Sequence, residues 1–103
     1  MARIEFTHSF EELAIVIDGV TVWCDGSVEA QCGRHPAEPD VGIMYPYYEI
    51  NTLGEMSVTI SQDDGVPCGP LYYRAGHKVF EAIINAMGEG DICDGAADAD
   101  RWN

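Results

Sequence analysis

The strongest pattern along the chain is a pair of strand-like runs, residues 13–17 and 20–24, on either side of Asp18-Gly19. Asp-Gly is a favoured pair for the two-residue loop of a type I′ hairpin. Because side chains alternate along a strand, pairing Ile17 with Val20 places six side chains on one face. These six are Leu13, Ile15, Ile17, Val20, Val22 and Cys24. The other face of the predicted hairpin carries Ala14, Val16, Thr21 and Trp23.

Several other segments have the composition or the alternation of strands. They are residues 2–7, 27–31, 43–50 and 55–61. Pro46 favours an edge position or a bulge in the third of these segments, because proline cannot donate to a ladder of hydrogen bonds. Residues 10–12 are predicted to form a turn, and residues 33–42 and 62–71 are predicted to form loops.

One amphipathic helix is predicted over residues 73–87, and Gly88 is its expected terminator. Its apolar stripe consists of Val79, Phe80, Ile83, Ile84 and Met87. Together the elements predict an α+β fold, in which one amphipathic helix packs on one face of an antiparallel β-sheet of about four or five strands. The predicted core contains Leu13, Ile15, Ile17, Val20, Val22, Val58, Ile60, Phe80, Ile83, Ile84 and Met87.

The 103 residues allow one domain, which we place at residues 1–88. Residues 89–103 are rich in aspartate and form either an acidic tail or a segment that docks through Trp102. No apolar run approaches the length of a transmembrane helix, and Glu5 stands where a signal peptide would be apolar. A cytoplasmic protein is therefore expected.

Charge narrows the classes of function. The chain has 18 Asp and Glu residues against five Lys and Arg residues, which gives a formal net charge of −13. Such a protein is repelled by nucleic acids and by anionic membranes, so direct binding to either is not expected. A basic protein surface is the complementary partner. The alternative is that the acidic residues only keep the protein soluble.

The chain contains cysteines and histidines, the residue types of a zinc site, but not at the spacing that such sites usually have. Cys32 and His35 have ligand-like spacing, and Cys24 or Cys68 could complete a tetrahedron, but no Cys-x-x-Cys pair is present. Reduced, partly buried thiols are the favoured interpretation, and a zinc-binding module is a minor alternative. The histidines lie in no recognised catalytic motif, so we predict neither an enzyme nor a cofactor.

The acidic residues in the middle of the chain are the main candidates for partner contact. Carboxylates on one face of a strand lie about 6.6–7 Å apart, which is close to the spacing of successive phosphates on a DNA strand. The candidates are Glu29, Glu38, Asp40, Glu49, Glu55, Asp63 and Asp64, and the acids of residues 89–103 could extend the set. Tyr47 and Tyr48 are candidate contacts as well, with packing in the core as the alternative.

In size, charge and sheet-plus-helix pattern, the chain resembles small, acidic, phage-encoded inhibitors, a class that includes anti-CRISPR proteins and other DNA mimics. Glu38-Pro39-Asp40, followed by residues 45–50, also looks like small phage proteins of unassigned role. The resemblance implies stoichiometric blockade of a host defence effector in the host cytoplasm, without catalysis. A phage structural or assembly protein that forms homo-oligomers is the alternative.

Overall fold

Four antiparallel strands and two helices make up the parts of the chain that the computed structural model describes, residues 2–62 and 65–102. The strands form one sheet in the order β1-β2-β3-β4. The elements are β1 Ala2–Ile17, β2 Val20–His35, β3 Tyr47–Ser61, β4 Cys68–Tyr73, α1 Lys78–Met87 and α2 Glu89–Trp102, with a 3-10 turn at Pro39–Val41. The predicted α+β class is confirmed, with two helices instead of one.

The predicted hairpin joins β1 and β2 in the expected register. Ile17 pairs with Val20, and the pairs farther from the turn also have the predicted register. Asp18 and Gly19 have φ values of 52° and 81°, and a type I′ turn requires φ above zero at both central positions. Val20 is 46% exposed, which corrects its predicted place in the core. It is the first residue after the turn, at the end of the sheet.

Both hairpin strands are longer than the sequence pattern indicated. The turn predicted at residues 10–12 is instead a bulge within β1, where the register shifts between Phe10 and Leu13. Glu12 adopts a φ of 49° there. A bulge inserts an extra residue into one strand and bends it without ending the pairing. β1 therefore continues through the predicted turn, and Phe10 is buried.

The predicted loop at residues 62–71 is too long, because β4 begins at Cys68, and the helix predicted from about residue 73 begins later, at Lys78. Tyr73 pairs with Met56 and is the last residue of β4. Gly76 has a φ of 97°, which a right-handed helix does not allow, so α1 begins only after it. His77 is the N-cap of α1, and its Nδ1 accepts a hydrogen bond of 3.1 Å from the Val79 amide.

Both helices pack on the same face of the sheet, α1 against β1 and α2 mainly against β1 and β3. Gly88 separates them and ends α1 as predicted, since its amide donates to the Ile84 carbonyl. Ile92 and Ala96 of α2 are completely buried, so residues 89–102 dock on the sheet. The Trp102 side chain, predicted to mediate this docking, lies outside the described residues.

The core lies between this covered face of the sheet and the two helices. It consists of Phe10, Ile15, Val22, Cys24, Val28, Ala30, Cys32, Met56, Val58, Val79, Phe80, Ile83, Ile84, Ile92 and Ala96. Leu13, Ile17, Ile60 and Met87, predicted to be in the core, are partly buried and pack against it. The molecule measures 53 × 24 × 23 Å.

Candidate functional site

The opposite face of the sheet, which neither helix covers, is called the open face here. Cys24, Val28 and Cys32 of β2 are fully buried on the covered face. Strand alternation therefore places Asp25 and Glu29, between them, on the open face. The carboxylates that alternation places on this face are Glu5 of β1, Asp25 and Glu29 of β2, and Glu49 of β3.

A row of hydrogen bonds crosses three strands on the open face. Thr52 Oγ1 donates to Gln31 Oε1 at 3.3 Å, and Gln31 Nε2 donates to Glu5 Oε1 at 3.2 Å. This row holds the Glu5 carboxylate in place beside a shallow cleft of about 470 Å³, which Glu29 also lines. Arg3 lies 3.9 Å from Glu5, but both side chains are about 70% exposed, so solvent screens the pair.

Glu49 and Tyr47 lie together at one end of the open face. His35 Nε2 lies 3.0 Å from Glu49 Oε2. The imidazole stacks on the Tyr47 ring with a centroid distance of 4.6 Å and an interplanar angle of 10°. Three of the residues predicted to contact a partner, Glu29, Glu49 and Tyr47, are therefore on this one surface.

The structure places the other acidic candidates elsewhere. Glu55 lies at a bulge of β3, where its carboxylate forms an ion pair of 3.6 Å with Arg74. Glu38 and Asp40 are exposed in the connection that contains the 3-10 turn. Asp63 and Asp64 lie outside the described residues.

Tyr48 is on the covered face, apart from Tyr47. Its hydroxyl donates to Asp100 Oδ2 of α2 at 2.8 Å, and Arg34 pairs with the same carboxylate at 3.3 Å. The Cys93 thiol of α2 donates to the Tyr48 carbonyl. Burial and the hydrogen bond to Asp100 raise the pKa of the Tyr48 phenol. Tyr48 thus fastens α2 to the sheet, which corresponds to the packing alternative.

Removing the Tyr48 hydroxyl tests this attachment. We expect Tyr48→Phe to lower the free energy of unfolding by about 1–2 kcal/mol, because a hydrogen bond to a charged group is lost. Tyr72→Phe is the control, since Tyr72 is 61% exposed. Urea unfolding followed by circular dichroism measures both variants. Equal stability of the two would show that the bond to Asp100 contributes nothing.

A second acidic surface lies on α2, on the covered side of the sheet. Glu89, Asp91, Asp94 and Asp98 are all exposed there. Asp91 Oδ2 lies 3.0 Å from His8 Nε2 of β1. The acids of residues 89–102 therefore do not extend the open face. The open face and α2 are separate acidic surfaces, and Asp18, Glu38, Asp40, Glu55 and Glu81 lie on neither of them.

The four cysteines are free thiols. Cys24 and Cys32 are fully buried, whereas Cys68 is exposed. Burial, with a smaller contribution from Asp25, raises the pKa of Cys24 to about 11. Within residues 2–62 and 65–102, no three His, Cys, Asp or Glu side chains converge in a way that could hold a metal ion. The alternative of a zinc-binding module finds no site there.

Searches of protein-family models, of curated proteins and of solved structures find no match for the chain. Neither α1 nor α2, the helices of the described residues, has the length and apolar composition to cross a bilayer.

Sequence reasoning missed Glu5, Asp25, Gln31 and Thr52 as members of the open face. The sequence did carry a signal for Asp25 and Gln31 of β2. The strand alternation that begins at Val22 and Cys24 continues to Cys32, and it places these two residues on the opposite face. The positions of Glu5 and Thr52 depend on how β1 and β3 pair with β2, which no local pattern gives.

Proposed function

We propose that this protein is a non-catalytic inhibitor that binds a basic, nucleic-acid-binding protein through the open face and blocks that protein's site for nucleic acid. The observation that carries the proposal is an uncovered sheet face with four carboxylates and little opposing charge. A surface that carries carboxylates on neighbouring strands offers a cationic groove the negative charge that it otherwise finds in a nucleic-acid backbone.

The distribution of cations supports this assignment. Arg34, Arg74 and Lys78 form ion pairs with Asp100, Glu55 and Asp18, none of which is among the four open-face carboxylates. Among the described residues, no lysine or arginine is within ion-pair distance of Asp25, Glu29 or Glu49. Glu29 has no ion-pair partner among the described residues, Asp25 accepts only the Glu12 amide, and Glu49 faces the His35 imidazole, so no permanently charged side chain competes with a partner for these three carboxylates.

The spacing of the carboxylates fits the proposal. Asp25 and Glu29 are four residues apart on one strand, which corresponds to about 13 Å between their Cα atoms. Phosphates that are two steps apart on one DNA strand are separated through space by a similar distance, about 13–14 Å. Arginine and lysine side chains arranged to hold a phosphate backbone can therefore meet both carboxylates.

The resemblance to phage inhibitors favours one class of basic partner, the nucleic-acid-binding effector of a host defence system, such as a CRISPR complex. The inhibitor would act in the host cytoplasm by occupying the effector, in a fixed ratio and without a chemical step.

The test compares two triple variants that raise the net charge by the same amount. One removes three of the four open-face charges with Glu5→Gln, Glu29→Gln and Glu49→Gln. The other neutralises α2 with Glu89→Gln, Asp94→Asn and Asp98→Asn, which leaves the Asp91 contact intact. Both variants and the unmodified protein are assayed for release of labelled duplex DNA from a purified defence effector.

We expect the open-face variant to lose at least tenfold in inhibitory potency, and the α2 variant to lose less than threefold. We also expect potency of the unmodified protein to fall at least tenfold between 50 and 500 mM salt, because screening weakens charge pairing. Equal potency of the two variants would show that the open face is not the binding surface. Inhibition that does not change with salt would contradict electrostatic mimicry.

The second candidate function, a homo-oligomeric structural or assembly protein, has one supporting observation. Tyr45 and Tyr72 are 80% and 61% exposed, and exposed tyrosines are common in protein interfaces. Light scattering of the protein alone separates the candidates, because a stable higher oligomer without a basic partner would favour assembly.

A further inference from the structure

Trp23 lies on the open face, where no helix covers it. It pairs with Ala14 of β1 and Ser61 of β3, and its side chain is nevertheless only partly exposed. The exposed side chains of Ala14 and Val16 are on the same face toward the hairpin turn. A large aromatic side chain on an uncovered sheet face is the residue type that most often dominates a binding surface.

Two acidic residues flank this tryptophan across a cleft. Glu12, Trp23, Asp25, Ser61 and Gln62 line an open cleft of about 520 Å³. Asp25 Oδ1 accepts a hydrogen bond of 2.9 Å from the Glu12 backbone amide, which joins the β1 bulge to β2. Among the described residues, the lining of the cleft therefore combines an aromatic side chain, two carboxylates and neutral hydrogen-bonding groups, with no cationic residue.

The chemistry of this lining selects its ligand. An anion or a nucleic acid is repelled by Glu12 and Asp25, and an aliphatic side chain would give neither carboxylate a positive charge to pair with. A guanidinium group is planar, stacks on aromatic rings and donates paired hydrogen bonds to carboxylates. A lysine ammonium can approach the indole and a carboxylate, but it cannot stack and bond in the same plane.

We propose that the Trp23 cleft receives an arginine side chain of the basic partner, with the guanidinium against the indole and hydrogen-bonded to Asp25. This inference rests on the proposed function, since it names one contact of the same open face. The cleft adds specificity for arginine to a surface whose other carboxylates attract any cation.

Hexa-arginine and hexalysine peptides test the cleft directly. The protein has two tryptophans. Trp102→Phe therefore leaves Trp23 as the single indole fluorophore, and its emission is followed as each peptide is added at 50 mM salt. We expect hexa-arginine to change the Trp23 emission and to bind about fivefold more tightly than hexalysine.

Two variants in this background locate the contact. Asp25→Asn keeps an oxygen that can accept the Glu12 amide hydrogen bond but removes the charge, and we expect it to weaken hexa-arginine binding about fivefold. Asp98→Asn on α2 removes the same charge from an exposed position and is expected to change affinity less than twofold. Anisotropy of labelled peptide measures both affinities.

Failure of the cleft is distinguishable from failure of the proposed function. If hexa-arginine binds but leaves the Trp23 emission unchanged, or if Asp25→Asn and Asp98→Asn weaken binding equally, the cleft is not the arginine site. Equal affinity for hexalysine would overturn the assignment of arginine. The proposed function fails separately if the open-face triple variant inhibits a defence effector as well as the unmodified protein.

Discussion

The Phe80→Ala variant is expected to lose about 3–5 kcal/mol of unfolding free energy. Phe80 is 1% exposed and is the largest fully buried side chain of the described residues. Its truncation removes apolar contacts and leaves a cavity between α1 and the sheet, which the surrounding side chains fill only in part. A loss of this size is a large part of the 5–15 kcal/mol by which domains are typically stable.

Urea unfolding followed by circular dichroism measures this loss. Tyr72→Ala removes an aromatic side chain that is 61% exposed and serves as the matched control, with an expected change within about 0.5 kcal/mol. A Phe80→Ala loss below about 1 kcal/mol would mean that α1 does not pack on the sheet as described.

The second large effect is expected from Gly26→Ala in β2. Gly26 pairs with Phe10 on one side and with Val58 on the other. A Cβ atom there would lie 2.0 Å from the Ser57 carbonyl oxygen and 2.9 Å from the Val58 Cα. Because both atoms belong to the backbone, β3 would have to move away and lengthen ladder hydrogen bonds. We expect a loss of about 3 kcal/mol or more.

Gly90→Ala in α2 is the matched control for this substitution. A Cβ atom at Gly90 meets nothing within 4 Å, and alanine is favoured over glycine in a helix by about 1 kcal/mol. The same chemical change should therefore stabilise the protein at Gly90 and destabilise it at Gly26. Similar melting temperatures for the two variants would contradict the close approach of β2 and β3.

Local rules were sufficient for the hairpin and insufficient for its continuation. Asp18-Gly19 specifies a turn, and the turn fixes the register of its neighbours. The bulge at Glu12 interrupts the alternation of β1, so the sequence there has the pattern of a turn. Only pairing with β2 keeps the strand continuous.

α2 is a helix that local propensity does not favour. Gly90 and Gly95 have low helix propensity, and the many aspartates are typical of a solvated tail. Packing of Ile92 and Ala96 on the sheet compensates for this weak propensity. Such long-range contacts are not encoded in any window of sequence. The same limit applies to the open face, because residues from three strands meet there only after the sheet has formed.

Under the proposed function, the length of β1 and β2 has a consequence for the size of the target. Each strand has 16 residues, and the longest dimension of the molecule is 53 Å. At about 3.4 Å per base pair, this length matches about 15 base pairs, or roughly one and a half turns of duplex DNA. An effector that protects a footprint of that extent could be occluded end to end by one copy, whereas a reader of three or four nucleotides would engage only a fraction of it.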